Sequence, residues 1–141
     1  MYEAPYEKLI VYKQICELRK LIYKHTVPFA KSEPRRASQM RDASRSAKQN
    51  FKEGYQRGSI RIFINSCKIS YGSLEELIGD IDDCKDDGLF SLEIYNLLND
   101  LAKKTHYLLN NYIQSLYKIE KEGTWKVIHP QKQTKQPNKT S

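Results

Sequence analysis

The apolar positions fall into four blocks, each with a helical period. In residues 6–27, Val11, Ile15, Leu18 and Ile22 repeat at spacings of 4, 3 and 4, and Leu9, Tyr12, Cys16 and Tyr23 widen that stripe. Pro28 should stop this helix, and residues 28–34 read as a Pro-bounded connector. Residues 35–53 predict a second, less apolar helix. Its seam of Met40, Ser44, Ala47 and Phe51 is small except for one large anchor, which suits close approach of a neighbouring helix. Gly54 reads as its C-terminal stop, with Tyr55 to Gly58 as a short connector. Residues 60–87 predict a third helix with Ser59 as N-cap. There Phe63, Cys67, Ser70, Leu74, Leu77, Ile81 and Cys84 alternate strictly between spacings of 4 and 3, the period of a bundle seam. Gly72 and Gly79 lie off that seam and weaken the helix, so a close helix contact is a reason for them.

Gly88 ends the third helix, and Ser91 caps a fourth over residues 91–121. Ile94, Leu98, Leu101, Thr105, Leu108, Tyr112 and Leu116 carry its 4–3 rhythm until Gly123. Four amphipathic helices joined by short connectors predict an all-α, antiparallel up-and-down four-helix bundle over residues 1–122. Residues 123–141, rich in Lys, Gln, Thr and Pro, predict a flexible basic tail in which Trp125, Val127 and Ile128 could pack back on the bundle.

Composition narrows the class. The 141 residues include 29% charged and 39% hydrophobic residues but only 6 Gly and 5 Pro, which suits a helical protein and argues against a β-sandwich. No apolar run approaches the ~20 residues of a membrane span, and Met1–Tyr12 shows no secretory signal. Cys16, Cys67 and Cys84 have no metal-ligand spacing and read as reduced, mostly buried thiols. The expected location is the cytoplasm.

Charge changes the picture more. The net charge is +7, and it is segregated. Residues 31–61 hold nine Lys/Arg and three acids, residues 75–100 hold nine acids and one lysine, and residues 123–141 hold four lysines and no acid. Arg41, Arg45, Lys48 and Lys52 fall at i, i+4, i+7 and i+11, a basic stripe along the second helix. Arg35 and Arg36 precede it, and Arg57 and Arg61 follow. All eight are candidate contacts to the phosphates of RNA or DNA; a solvated face or subunit pairing are the other readings. Glu76, Asp80, Asp83 and Asp87 make the mirror-image acidic stripe on the third helix. They are candidates for a subunit interface, with a solvated face or a hard-cation site as the other readings. Asp83, Asp86 and Asp87 also sit at the negative end of that helix's dipole, a position that a basic neighbour would relieve. The two stripes flank opposite edges of their seams and are expected to be poorly placed to neutralise each other within one chain. They could pair head to tail between copies, which generates a ring.

Catalytic chemistry finds little support. His25, His106 and His129 belong to no Ser/His/Asp or HExxH pattern, and the paired Glu-x-x-His motifs of di-metal bundles are missing. Cys16 and His106 could meet across the bundle, but a structural thiol is the simpler reading. Asn50 and Glu53 read as structural polar groups near a helix end. Tyr55, beside Arg57 in a connector, is a base-stacking candidate. No enzyme activity, catalytic residue, metal or cofactor is expected.

Three motifs in order resemble a known family. Ser38-Gln39-Met40-Arg41, Ala43, Ser46, Asn50, Glu53-Gly54-Tyr55, Arg57 and Ser59 follow the pattern S-Q-L-R-R-A-x-x-S-I-P-x-N-I-A-E-G-x-x-R-x-S. Gly72-Ser73-Leu74 with Glu76-Leu77 follows G-S-L-x-E-L, and Leu9 with Val11-Tyr12 follows an opening L-x-V-Y. The chain thus resembles, over roughly residues 6–120, the four-helix bundle proteins encoded in intervening sequences of bacterial 23S rRNA genes. The resemblance implies a bacterial bundle that assembles as a ring, a homopentamer. It also implies relatives among the accessory proteins of diversity-generating retroelements, which partner a reverse transcriptase and its RNA. It brings no catalytic residues. Lys48 stands where that pattern has proline, so the second helix should lack a kink, and Asp42, Arg45 and Lys52 replace commonly Arg, apolar and Ala positions. These departures spread basic charge along the second helix. The combined expectation is a non-enzymatic, ring-forming, nucleic-acid-binding accessory protein. The alternative is a protein-interaction scaffold whose charged stripes serve assembly.

Overall fold

The structure, a computed structural model, describes residues 9–125. Four helices account for nearly all of them: α1 (Ile10–Thr26), α2 (Pro34–Gln56), α3 (Ile60–Asp86) and α4 (Leu92–Glu122). A 3-10 turn, Val27–Phe29, follows α1 where Pro28 was expected to break the helix. Pro34 occupies the first turn of α2, where its missing N–H costs nothing. Ser59 and Ser91 cap α3 and α4 as expected, each accepting a hydrogen bond from the backbone N–H three residues on. The N-terminal turn expected from residue 6 and the tail from residue 126, with Val127 and Ile128, lie outside the described residues.

Each helix contacts its neighbours in sequence, and α1 closes on α4. The pairings run antiparallel. The start of α2 meets the end of α3 through Arg36 and Asp87, its middle meets the middle of α3 through Ser46 and Ser73, and its end meets the start of α3 through Tyr55 and Phe63. This is the up-and-down four-helix bundle that the periodicity predicts.

The core follows the seams closely on three helices. Val11, Ile15, Leu18 and Ile22 of α1 are buried, as are Met40, Ser44, Ala47 and Phe51 of α2. All seven seam positions of α3, from Phe63 to Cys84, are buried. The buried line of α4 differs from the expected one. It runs through Leu98, Ala102, Thr105, Leu109, Ile113 and Leu116, while Leu101, Leu108 and Tyr112 are only partly buried. Apolar residues flank α4 on both sides because it packs against both α3 and α1, so the wider stripe has its centre one residue later.

Aromatic rings fill one end of the bundle. Phe51 lies 5.5 Å from Tyr12, 5.2 Å from Phe63 and 5.8 Å from Tyr112, centroid to centroid. Trp125 packs back on Phe63 at 5.6 Å and on Tyr55 at 6.1 Å, as expected for the residue after α4. Tyr55 is therefore not an exposed stacking platform. It is 7% exposed and is packed edge-on against Phe63, inside α2 rather than in a connector.

The reason lies in Gly54, which does not end α2. The helix continues through it to Gln56, and the backbone turns at Gly58, whose φ of 84° is the left-handed conformation a helix stop requires. Gly54 serves close packing instead. A Cβ built there would lie 2.5 Å from Ser66 Oγ of α3.

Gly72 and Gly79 are the opposite case. A Cβ on either would meet nothing within 4 Å in this chain, so no close contact among the described residues accounts for them. Each glycine in a helix interior costs up to about 1 kcal/mol relative to alanine. The double variant Gly72→Ala/Gly79→Ala is therefore expected to gain about 1–2 kcal/mol in urea unfolding. A loss of stability would mean that another chain packs closely on this face.

Candidate nucleic-acid interface

The eight basic candidates separate into three groups. Arg36 does not join the stripe. It lies five residues before Arg41, about 140° round the helix, and faces α3. There its guanidinium makes a 3.0 Å ion pair with Asp87 and donates to Cys84 Sγ at 3.7 Å. Asp87 of the acidic stripe is thus neutralised within the chain by a residue that precedes the basic stripe, while among the described residues no ion pair joins Arg41, Arg45, Lys48 or Lys52 to Glu76, Asp80, Asp83 or Asp87. Arg36 also supplies the basic neighbour expected for the negative end of α3, from within the chain.

Arg41 and Arg61 are also engaged. Arg41 Nε donates to Thr26 Oγ1 at 2.8 Å, and its Nη2 donates to the Tyr23 carbonyl at 3.4 Å. Its guanidinium carbon stands 4.0 Å over the Tyr23 ring. The side chain thus closes off the C-terminal turn of α1 with a positive charge, where the helix dipole favours one. Arg61 pairs with Glu120 of α4 at 3.0 Å.

Arg35, Arg45, Lys48, Lys52 and Arg57 make up the remainder. Among the described residues Arg45 has only a long ion-pair contact to Asp42, 3.9 Å with both side chains more than two-thirds exposed, which is weak in water. Arg45, Lys48 and Lys52 stay within about 60° of one another on α2, on the edge that faces α1. Arg35 and Arg57 are exposed at opposite ends of α2 and on other faces.

The sequence reading missed Arg19 of α1. It lines the same edge with Tyr23, Arg41, Ser44 and Arg45. A signal was present: Leu9, Tyr12, Cys16 and Tyr23 step by 3, 4 and then 7 residues, and Arg19 fills the vacant place in that rhythm. A charged residue at an apolar register marks a position where a helix edge turns polar. Arg19 Nε is buried there without a hydrogen-bond partner.

The acidic candidates sit on the other edge of α2. Glu76 and Asp80 line an open groove of about 500 Å³ between α2 and α3, together with Gln39, Asp42, Ala43, Ser46 and Ser73. A Ser46–Ser73 hydrogen bond of 2.9 Å crosses its floor, and Asn50 Nδ2 donates to the Ser46 carbonyl at 2.9 Å, in keeping with the structural role expected of Asn50. Asp83 is exposed, and Asp87 belongs to Arg36. Burial pushes the Asp80 carboxyl above its usual range, more than Arg36 draws it down, and Asp83 and Glu76 add to the rise. A carboxyl whose folded pKa is raised favours folding below its unfolded pKa and loses that contribution as pH rises. Asp80→Asn is therefore expected to be more stable than wild type at neutral pH in thermal unfolding. The gain should shrink as pH falls through the carboxylate range, and a gain independent of pH would refute this account.

Other chemistry candidates resolve as structural groups. His106 stacks on Tyr71 with centroids 4.0 Å apart and lies 3.5 Å from Glu75, on the α3–α4 side. Cys67 and Cys84 are buried, and burial raises both thiols, which disfavours the reactive thiolate. Among the described residues no three His, Cys, Asp or Glu side chains converge on a metal position. No described helix is long and apolar enough to cross a membrane.

Two comparisons bear on this geometry. The sequence model of the 23S rRNA-intervening sequence protein family matches residues 7–111, which include α1, α2, α3 and most of α4. A crystal structure of a protein of unknown function from the S23 ribosomal protein family of Bacteroides thetaiotaomicron shares the fold. Its TM-score is 0.65 at 22% identity, over 74% of this chain and 98% of that one. No curated protein matches the chain.

Proposed function

The chain belongs to the 23S rRNA-intervening sequence protein family, and from that premise we propose that it is a non-enzymatic accessory protein that binds structured RNA or DNA by its phosphates. The α1–α2 edge is the binding surface. The observation that carries this reading is the run of Arg45, Lys48 and Lys52, none of which has a close ion-pair partner among the described residues, joined across the edge by Arg19. Helices that present lysine and arginine without groove-reading side chains suit recognition of shape and charge rather than base sequence. Individually weak phosphate contacts gain from repetition, so the proposal includes a ring of copies, taken as a pentamer, with the edges repeated around it. In its finer form the protein works in the cytoplasm beside a reverse transcriptase and its RNA, as the retroelement accessory proteins do whose motifs it resembles. The basic residues at 45, 48 and 52, where the family pattern has other residue types, support that form.

The second reading is a protein-interaction scaffold. It is favoured by the acidic groove at Asp42, Glu76 and Asp80, opposite in charge to the α1–α2 edge and open to a neighbouring copy's Arg45, Lys48 and Lys52. Binding of nuclease-treated protein to a structured RNA by fluorescence anisotropy separates the two. With about five phosphate contacts, affinity should fall roughly 100- to 500-fold between ~50 and ~200 mM salt. No binding at the lowest salt would overturn the nucleic-acid reading and leave the basic edge to assembly.

A further inference from the structure

Between α1 and α2 the basic edge is not flat. Arg19, Tyr23, Arg41, Asp42, Ser44 and Arg45 enclose a notch of about 200 Å³. At the ~30 Å³ a water occupies in the liquid, that is room for about six or seven waters, or for one phosphate group with part of its hydration shell. Three guanidinium groups against one carboxylate leave the lining with a surplus of positive charge.

The three arginines differ in how far they are committed. Arg41 is held in place by Thr26 Oγ1, the Tyr23 carbonyl and the Tyr23 ring, contacts that use Nε and one Nη2 hydrogen. A guanidinium carries five N–H donors, so the outer part of that fork remains available in a fixed orientation. Among the described residues Arg45 pairs with Asp42 alone, at 3.9 Å, and can turn to a stronger acceptor. Arg19 is the unusual one. Its Nε is buried, and no acceptor among the described residues satisfies it. Buried polar groups are nearly always hydrogen-bonded, so a lining side chain with an unsatisfied donor gains by turning toward an acceptor that enters the notch. Ser44 donates its hydroxyl hydrogen to the Arg41 carbonyl at 3.0 Å and does not accept from Arg19 Nε.

We propose that this notch is a phosphoryl-anion subsite, in which Arg19 and the outer fork of Arg41 bind one phosphate and Arg45 closes over it. The occupant is a phosphodiester of the bound nucleic acid, so this inference rests on the proposed function. It adds that one phosphate is seated in a built pocket while the others lie along an open ridge of lysines. Paired arginine forks match the oxygens of a phosphate, whereas a lysine offers only a point charge.

The test is nuclear magnetic resonance of arginine side-chain Nε–H groups in the full chain, with the Arg19 signal assigned through Arg19→Gln. Sodium phosphate in the low millimolar range should shift the Arg19 signal along a saturating curve. Sodium chloride of equal ionic strength should not. A short structured RNA should shift the same signal. Arg19→Lys, which keeps the charge and loses the fork, should weaken RNA binding more than Lys20→Gln, a control on exposed α1 surface. No saturable shift with phosphate overturns the subsite. A shift with phosphate but not with bound RNA overturns the phosphodiester as occupant and leaves free phosphate. If wild-type protein binds no RNA but phosphate shifts Arg19, the nucleic-acid function fails and the anion site stands on its own.

Discussion

Gly54→Ala is expected to destabilise the bundle by about 2 kcal/mol, although alanine is the better helix former. The helix gains about 1 kcal/mol from the exchange. Against this, the new methyl group would lie 2.5 Å from Ser66 Oγ and closer still to Ser66 Cβ, which no rotation of Ser66 can move. The helices must separate, and the contacts they would open include the 5.2 Å Phe51–Phe63 pair and the 5.4 Å Tyr55–Phe63 pair. Overpacking of this sort typically costs 1–3 kcal/mol or more. Chemical denaturation of four proteins closes the cycle: wild type, Gly54→Ala, Ser66→Gly and the double variant. Ser66→Gly removes both clashing atoms, so the double variant should recover most of what Gly54→Ala loses. An interaction energy near zero would show that the close approach of α2 and α3 at Gly54 is not what the glycine serves.

That glycine also shows where the sequence was readable and where it was not. Periodicity placed every seam residue of α3 correctly, because large apolar residues there alternate with polar ones on a single face. On α4 it placed Leu98, Thr105 and Leu116 correctly but fell one residue short at Leu101, Leu108 and Tyr112, because leucines and tyrosines flank both sides of a helix that packs on two neighbours. Gly54 and Gly58 stand four residues apart near the same helix end, and composition alone does not say which one turns the chain. Only a partner helix distinguishes them: Ser66 lies against Gly54, while Gly58 takes the positive φ. Tyr55 moved from surface to core as a direct consequence, and the stacking role fell with it.

The charged stripes were legible as stripes, but their partners were not. Helical spacing identifies Arg41, Arg45, Lys48 and Lys52 as one face, and Arg45, Lys48 and Lys52 do lie on one edge. The same spacing says nothing of what Arg41 reaches across the 28–34 connector, and its guanidinium secures the end of α1. Arg36 lies off the stripe by its own angular position, and its ion pair with Asp87 follows from the antiparallel approach of α2 and α3. Arg19 needed the opposite inference, from a gap in an apolar rhythm to a polar residue at a helix edge. The two edges of α2 therefore carry opposite charge, and each edge gets its charge from a pair of helices rather than from one. The residues whose removal tests binding are thus fewer than the stripes suggested. Reversing Arg41 would loosen α1 and confuse stability with affinity.

The variant Arg45→Glu/Lys48→Glu/Lys52→Glu avoids that confusion, and its expected effect on RNA affinity is the largest in the protein. None of the three side chains has a close ion-pair partner among the described residues, so the fold should tolerate their replacement. For a polyelectrolyte, each phosphate contact scales affinity by salt concentration to the power of about −0.7 to −0.9. At ~0.1 M salt that is roughly five- to eightfold per contact, so losing three contacts costs about 10²-fold or more before any repulsion from the new carboxylates. The slope of log affinity against log salt should fall in magnitude by about 2–3 at the same time. Sedimentation of the same variant decides between the two functional readings. Loss of RNA binding with assembly unchanged supports a free phosphate-binding edge. Loss of assembly together with RNA binding means that these residues meet the acidic groove of a neighbouring copy. In that case, adding Glu76→Lys and Asp80→Lys to the triple variant should restore the assembly without restoring the RNA contacts.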